Sequence, residues 1–156
     1  MVGLQLMRLI EQHSEELSDG LTAKLRECER TSDFRNVSAA DLHRATVEVY
    51  RNLGEWLLRK SEAEVEARFR PLAARRAAEG IGLHQFVWAL RTSRNHLWSY
   101  LRSHAFADNV VALYGEMELQ QLLNQFFDRA IYYGVLGYQE AEEDNSPAVP
   151  VRSRRY

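Results

Sequence analysis

The sequence is poor in the residues that punctuate a chain. Its 156 residues include only eight glycines and three prolines, and two of the prolines, Pro147 and Pro150, fall in the last ten positions. So few breakers argue against a many-turned architecture and favour long helices. Cysteine is scarcer still: Cys28 stands alone, which excludes an intrachain disulfide and suits a reducing compartment. Neither sign of charge dominates. Basic side chains number 20 and acidic ones 22, a formal net charge of −2 spread along the chain, with none of the basic footprint that nucleic acid binding needs. No apolar run approaches the ~18 residues of a membrane span. Arg8 and Glu11 interrupt the N-terminal apolar residues too early for a secretion signal. The expectation is a cytoplasmic protein that meets neither nucleic acid nor membrane. Strand signals are missing as well, since no alternating apolar run is bounded by turn residues.

What is present is helical periodicity, over a composition that is 46% hydrophobic and able to fill one core. From Leu4 to about Glu29, Met7, Ile10, Leu17, Leu21, Leu25 and Cys28 form a stripe; Asp19-Gly20 leaves open whether this is one helix or two. "TSDFRN" reads as a loop. Ser38 with Asp41, and Ser61 with Glu64, are capping-box-like starts. The first opens a helix with Leu42, Ala45, Val49, Leu53, Trp56 and Leu57 on one face. The second opens one with Val65, Phe69 and Leu72, where Pro71 either kinks the helix or begins a new one. Gly80 stands where a helix end takes a left-handed residue, with Arg75 and Arg76 in the preceding turn. Leu83, Phe86, Val87, Leu90, Leu97, Trp98 and Leu101 then line a helix ending near His104. Asp108 or Asn109 caps a last helix carrying Leu113, Met117, Leu122, Leu123, Phe126, Phe127, Ala130 and Ile131 to about Tyr138. Its aromatic content makes it the expected centre of the fold, and Gly134 and Gly137 would let another backbone approach closely. The predicted architecture is all-α, a bundle of five or six helices over residues 1–140, globin-like in one version, with a disordered tail over 141–156.

Chemistry-bearing constellations are hard to find. "GIG" at Gly80–Gly82 follows a helix, has no lysine nearby, and so reads as a helix corner instead of a phosphate loop. The histidines, His13, His43, His84, His96 and His104, show no pair three or four apart, and none is preceded at the third position by glutamate; paired-imidazole and di-iron sites are not expected. A haem needs one axial histidine, for which His84 or His96 are the candidates. Cys28 lies on an apolar stripe, the place of a core filler more than of a nucleophile. No catalytic residues, metal or cofactor are expected.

Two residues on one helix break the pattern. Arg94 falls within the apolar stripe; either a carboxylate from Glu116 or Glu118 meets it inside, or its stem packs and its head reaches solvent. Trp88 projects the other way, among His84, Arg91, Asn95 and Arg102. An aromatic ring amid polar residues marks an association surface, unless another helix covers it.

The stretch "AAEGIGLHQFVWALRTSRNHLW", through Gly80, Leu83, Arg94 and Trp98, resembles the N-terminal domain of RsbRD-type RsbT co-antagonist proteins, and the likeness extends over roughly residues 4–138. That resemblance implies a sensory or regulatory module, not an enzyme. Related proteins assemble in stressosome complexes or carry such a domain before a kinase, and cousins resemble haem-free globins that pair as dimers. No phosphorylatable STAS output domain and no kinase domain lie within these 156 residues. The expected partners are a second copy of the chain, a regulatory protein, and a small ligand in the helical core. The alternative is a haem- or small-ligand-binding sensor.

Overall fold

The computed structural model describes residues 2–104 and 110–145. Every regular element among them is helical: α1 (Val2–Gln12), α2 (Ser14–Glu27), a 3-10 segment (Glu29–Asn36), α3 (Ala39–Arg59), α4 (Glu62–Ala78), α5 (Leu83–His104) and α6 (Val110–Asn145). The all-α bundle expected from periodicity is the fold.

The caps form where the side chains allow them. Ser38 Oγ accepts the Asp41 backbone N–H at 3.2 Å, and Ser61 Oγ accepts that of Glu64 at 3.4 Å. Each satisfies one of the orphan donors of a helix start. The "GIG" corner closes as a double-bonded C-cap. Gly80 takes φ +82°, its N–H donates to Ala77 O at 3.1 Å, and the Ile81 N–H reaches back to Arg76 O at 3.1 Å. Ile81 then drops into the core, 3% exposed. Long-range partners fix the corner: Asp33 Oδ2 accepts the Gly82 N–H at 3.0 Å, and the Tyr138 hydroxyl donates to Ile81 O at 2.8 Å.

Some expectations are corrected. The first segment is two helices, but it breaks at His13; Asp19 and Gly20 lie inside α2. A Cβ on Gly20 would stand 2.9 Å from His96 Cε1, so this glycine makes room for a ring and does not end a helix. "TSDFRN" is not an open loop but part of the 3-10 segment, kinked at Thr31, whose hydroxyl caps Leu25 O at 2.7 Å. Pro71 does not take the second of its two expected roles, that of opening a new helix. It sits exposed within a continuous α4, where its missing N–H costs one backbone bond. Met117, placed on the buried stripe by its spacing, is 61% exposed. The last helix continues to Asn145; the expected cap at Asp108 or Asn109 and residues 146–156 of the expected tail lie outside the described residues.

As anticipated, α6 is the central element. It packs against α1, α3, α4 and α5, most extensively against α4. Leu119, Leu123, Phe126, Phe127 and Ala130 on it are fully buried. Phe126 meets Trp56, Phe69 and Phe127 with ring centroids 5.8, 5.6 and 5.1 Å apart, in the tilted and edge-on geometries that aromatic quadrupoles favour.

Candidate functional site

The five residues singled out on α5 share one strip, because steps of four, three, four and seven return to the same side of a helix. His84, Arg91, Asn95 and Arg102 are exposed and Trp88 is half-buried. Over the Trp88 ring lies a residue of the 3-10 segment. What meets it is charge: the Arg30 guanidinium from the 3-10 segment lies 4.4 Å from its ring centroid, and Arg91 lies 4.9 Å away. Such stacking fixes two long side chains beside an indole. Among the described residues neither Arg30 nor Arg91 has a carboxylate within ion-pair distance. The strip therefore presents an aromatic ring flanked by two uncompensated cations. Arg94 sits beside it, half-exposed, its Nε donating to Asn95 Oδ1 at 3.4 Å. Glu118 is exposed, and the Glu116 side chain lies outside the described residues.

The opposite side of α5 faces the interior, where polar groups are buried that periodicity gave no reason to notice. His96 places Nε2 3.1 Å from Leu17 O, while its Nδ1 is buried with no hydrogen-bond partner. Burial, then the Lys24 charge, lower its pKa, against the opposing effect of the Leu17 carbonyl. The Tyr50 hydroxyl donates to Ser93 O at 3.1 Å, and burial raises its pKa far above the usual phenol range. Arg76, expected only to complement a helix dipole, is 5% exposed, with Nη1 donating to Glu79 Oε2 at 2.7 Å.

Cavities open in this framework. One of about 410 Å³ lies between α1 and α3, walled by Met7, Ile10, Tyr50, Gly54 and Leu58. A groove of about 560 Å³ lies between α3 and α4. A chamber of about 40 Å³ lies deeper, among Phe34, Leu42, Phe86 and Leu90. None of the histidines with described side chains lines any of the three, so these cavities offer no axial ligand to a haem. Elsewhere, Glu15 and Asp19, one turn apart on α2, approach His43 Nε2 on α3 at 3.2 and 3.1 Å. Their ligating atoms all lie within 4.8 Å of one another, but both carboxylates are exposed, and exposed acidic groups gather in this way without an ion. The Cys28 thiol is half-buried at the end of α2 and makes no hydrogen bond among the described residues.

A sequence profile for the N-terminal domain of the RsbT co-antagonist protein rsbRD matches residues 14–147, which take in α2 through α6. The chain belongs to this family. No match was found among curated proteins or among solved structures. The RsbRD N-terminal domain is a regulatory domain of stress signalling and not a known enzyme family. In this RsbRD N-terminal domain the signature residues mark the α4–α5 corner: Gly80 is its left-handed cap, Leu83 opens α5, and Trp98 packs half-buried against the core. α1 precedes the matched residues. No helix among the described residues is long and apolar enough to cross a membrane.

Proposed function

We propose that this RsbRD N-terminal domain is a non-enzymatic, cytoplasmic sensor or regulator in bacterial stress signalling that works by contact, pairing with a second copy of itself and with a regulatory protein. The observation that carries the reading is the α5 strip: Trp88 half-exposed and stacked with Arg30 and Arg91, with His84, Asn95 and Arg102 along the same line. Tryptophan and arginine are the residue types that concentrate binding energy at interfaces, and a ring already immobilised loses little entropy on docking. A signal would travel as a change in helix packing through α6, which touches α1, α3, α4 and α5 at once. The test is sedimentation velocity of the wild type and of Trp88→Ala. The wild type is expected to sediment as a dimer and the variant as a folded monomer. An oligomer unchanged by the substitution removes the strip from the reading.

A further inference from the structure

Arg76 lies at the junction of two of the cavities. It lines both the 560 Å³ groove between α3 and α4 and the 40 Å³ chamber, together with Ala45, Val49 and Leu72, so the two spaces adjoin at its side chain. Among the described residues it is the only charged one in the chamber's wall. Its side chain is 7% exposed, yet of the five N–H donors a guanidinium offers, it uses one nitrogen, on Glu79. Its remaining nitrogens have no partner among the described residues and are not sealed from solvent, so they are open to a ligand that enters from the groove. Asn52, which also lines the groove, has a buried Oδ1 without a hydrogen-bond partner; as an acceptor it leaves the pairing of a carboxylate to Arg76.

We propose that groove and chamber form one binding site for a small amphiphilic carboxylate. The carboxylate pairs side-on with the free edge of the Arg76 guanidinium, the geometry for which the planar fork is suited. The alkyl end enters the chamber between Phe34, Phe86 and Leu90. Asp41, Glu48 and Glu79 line the groove together with Arg44, Arg68, Arg75 and Arg76, a lining one positive charge from balance that one monoanion neutralises. The chamber holds about three water-sized spheres, room for roughly three carbons beyond the carboxylate. This deepens the sensory reading and rests on it for its purpose, but not for its test. The chamber is walled by Phe86, Ala89 and Leu90, on the side of α5 opposite Trp88, so an occupant presses on the helix that carries the strip.

The experiment is calorimetric titration of the full chain, at constant ionic strength, with straight-chain monocarboxylates from acetate to octanoate, with 1-butanol, and with inorganic phosphate. Affinity is expected to rise about fourfold per methylene up to butyrate and then level off. Butanol and phosphate should bind at least about tenfold more weakly than butyrate. Arg76→Lys, which keeps the charge but loses the fork, should weaken butyrate about tenfold or more. Glu79→Gln, which frees the guanidinium, should tighten it, and Ala45→Leu, which fills the chamber from its rim, should move the optimum toward acetate. Absence of binding by every acid, affinity that climbs without a plateau to octanoate, equal binding of butanol, or three variants indistinguishable from wild type would each overturn the proposal. Because Glu79→Gln predicts a gain and Ala45→Leu a shift in optimum, a misfolded Arg76 variant does not remove the test. Loss of the carboxylate site would leave the sedimentation behaviour of Trp88→Ala, and the contact reading with it, standing.

Discussion

His96 shows how a single residue acquires a property from its surroundings. Its Nε2 is committed to Leu17 O, so the proton sits on that nitrogen and the buried Nδ1 is left as a bare acceptor. Charging the ring would bury an N–H with no partner beside the Lys24 field. The folded pKa therefore lies below the ordinary value near 6.5, while the unfolded chain keeps the ordinary one. The unfolded state binds the proton first as pH falls, so the stabilisation from neutral His96 is complete above about pH 6.5 and is lost as pH drops through the window below it. Wild type is expected to lose more unfolding midpoint between neutral and mildly acidic pH than His96→Gln, which keeps a donor for Leu17 without titrating. Urea titrations across that range check it; parallel slopes would sink the argument. Gly20 belongs to the same local problem, since a Cβ there would meet the ring edge at 2.9 Å.

At the scale of elements the crossing of α4 and α6 decides most. α6 passes so close to α4 that a Cβ on Gly137 would lie 2.3 Å from the Arg70 carbonyl oxygen, a backbone atom that cannot step aside. Gly134 faces Phe86 Cε1 at 2.5 Å, a ring edge that can rotate. Helix propensity alone would favour alanine at both by about 1 kcal/mol. Packing reverses that order at Gly137, where Ala is expected to cost about 3 kcal/mol net, and less at Gly134. Denaturation midpoints of the two variants give the comparison, and a Gly137→Ala variant as stable as wild type would mean the helices can part without loss. Arg70 ties the same crossing together, pairing with Glu66 on its own helix at 2.6 Å and with Glu140 on α6.

For the whole molecule, α5 is the element with two audiences: its inner side walls the chamber and its outer side carries Trp88 with the guanidinium groups of Arg30 and Arg91. The sign of that charge discriminates between partners. A two-fold pairing through the strip sets like charges against each other, so added salt should tighten it; contact with an acidic protein should weaken as salt rises. The dimer proposed above is therefore expected to strengthen between low and moderate ionic strength, measured by sedimentation equilibrium. A dimer that dissociates with salt would place acidic residues, and another surface, at the interface.

Periodicity and capping chemistry alone determined the all-α class, the Ser38 and Ser61 starts, the Gly80 corner and the strip of α5 on which Trp88 stands. They are legible because each rests on neighbours within about two helical turns, where spacing fixes which side chains meet. The family could be named from residues of that same short range, around Gly80, Leu83, Arg94 and Trp98. Only the tertiary structure decided the rest. Gly20 looks like a breaker until His96 arrives from α5, 76 positions along the chain. Arg76 looks like a dipole-complementing surface residue until α3 and α5 close over it, and Arg30 gives no hint in sequence that it will cover an indole on another element. In each case the deciding partner is distant in sequence, and its distance and burial are properties of the assembled core, which no local pattern of residues contains.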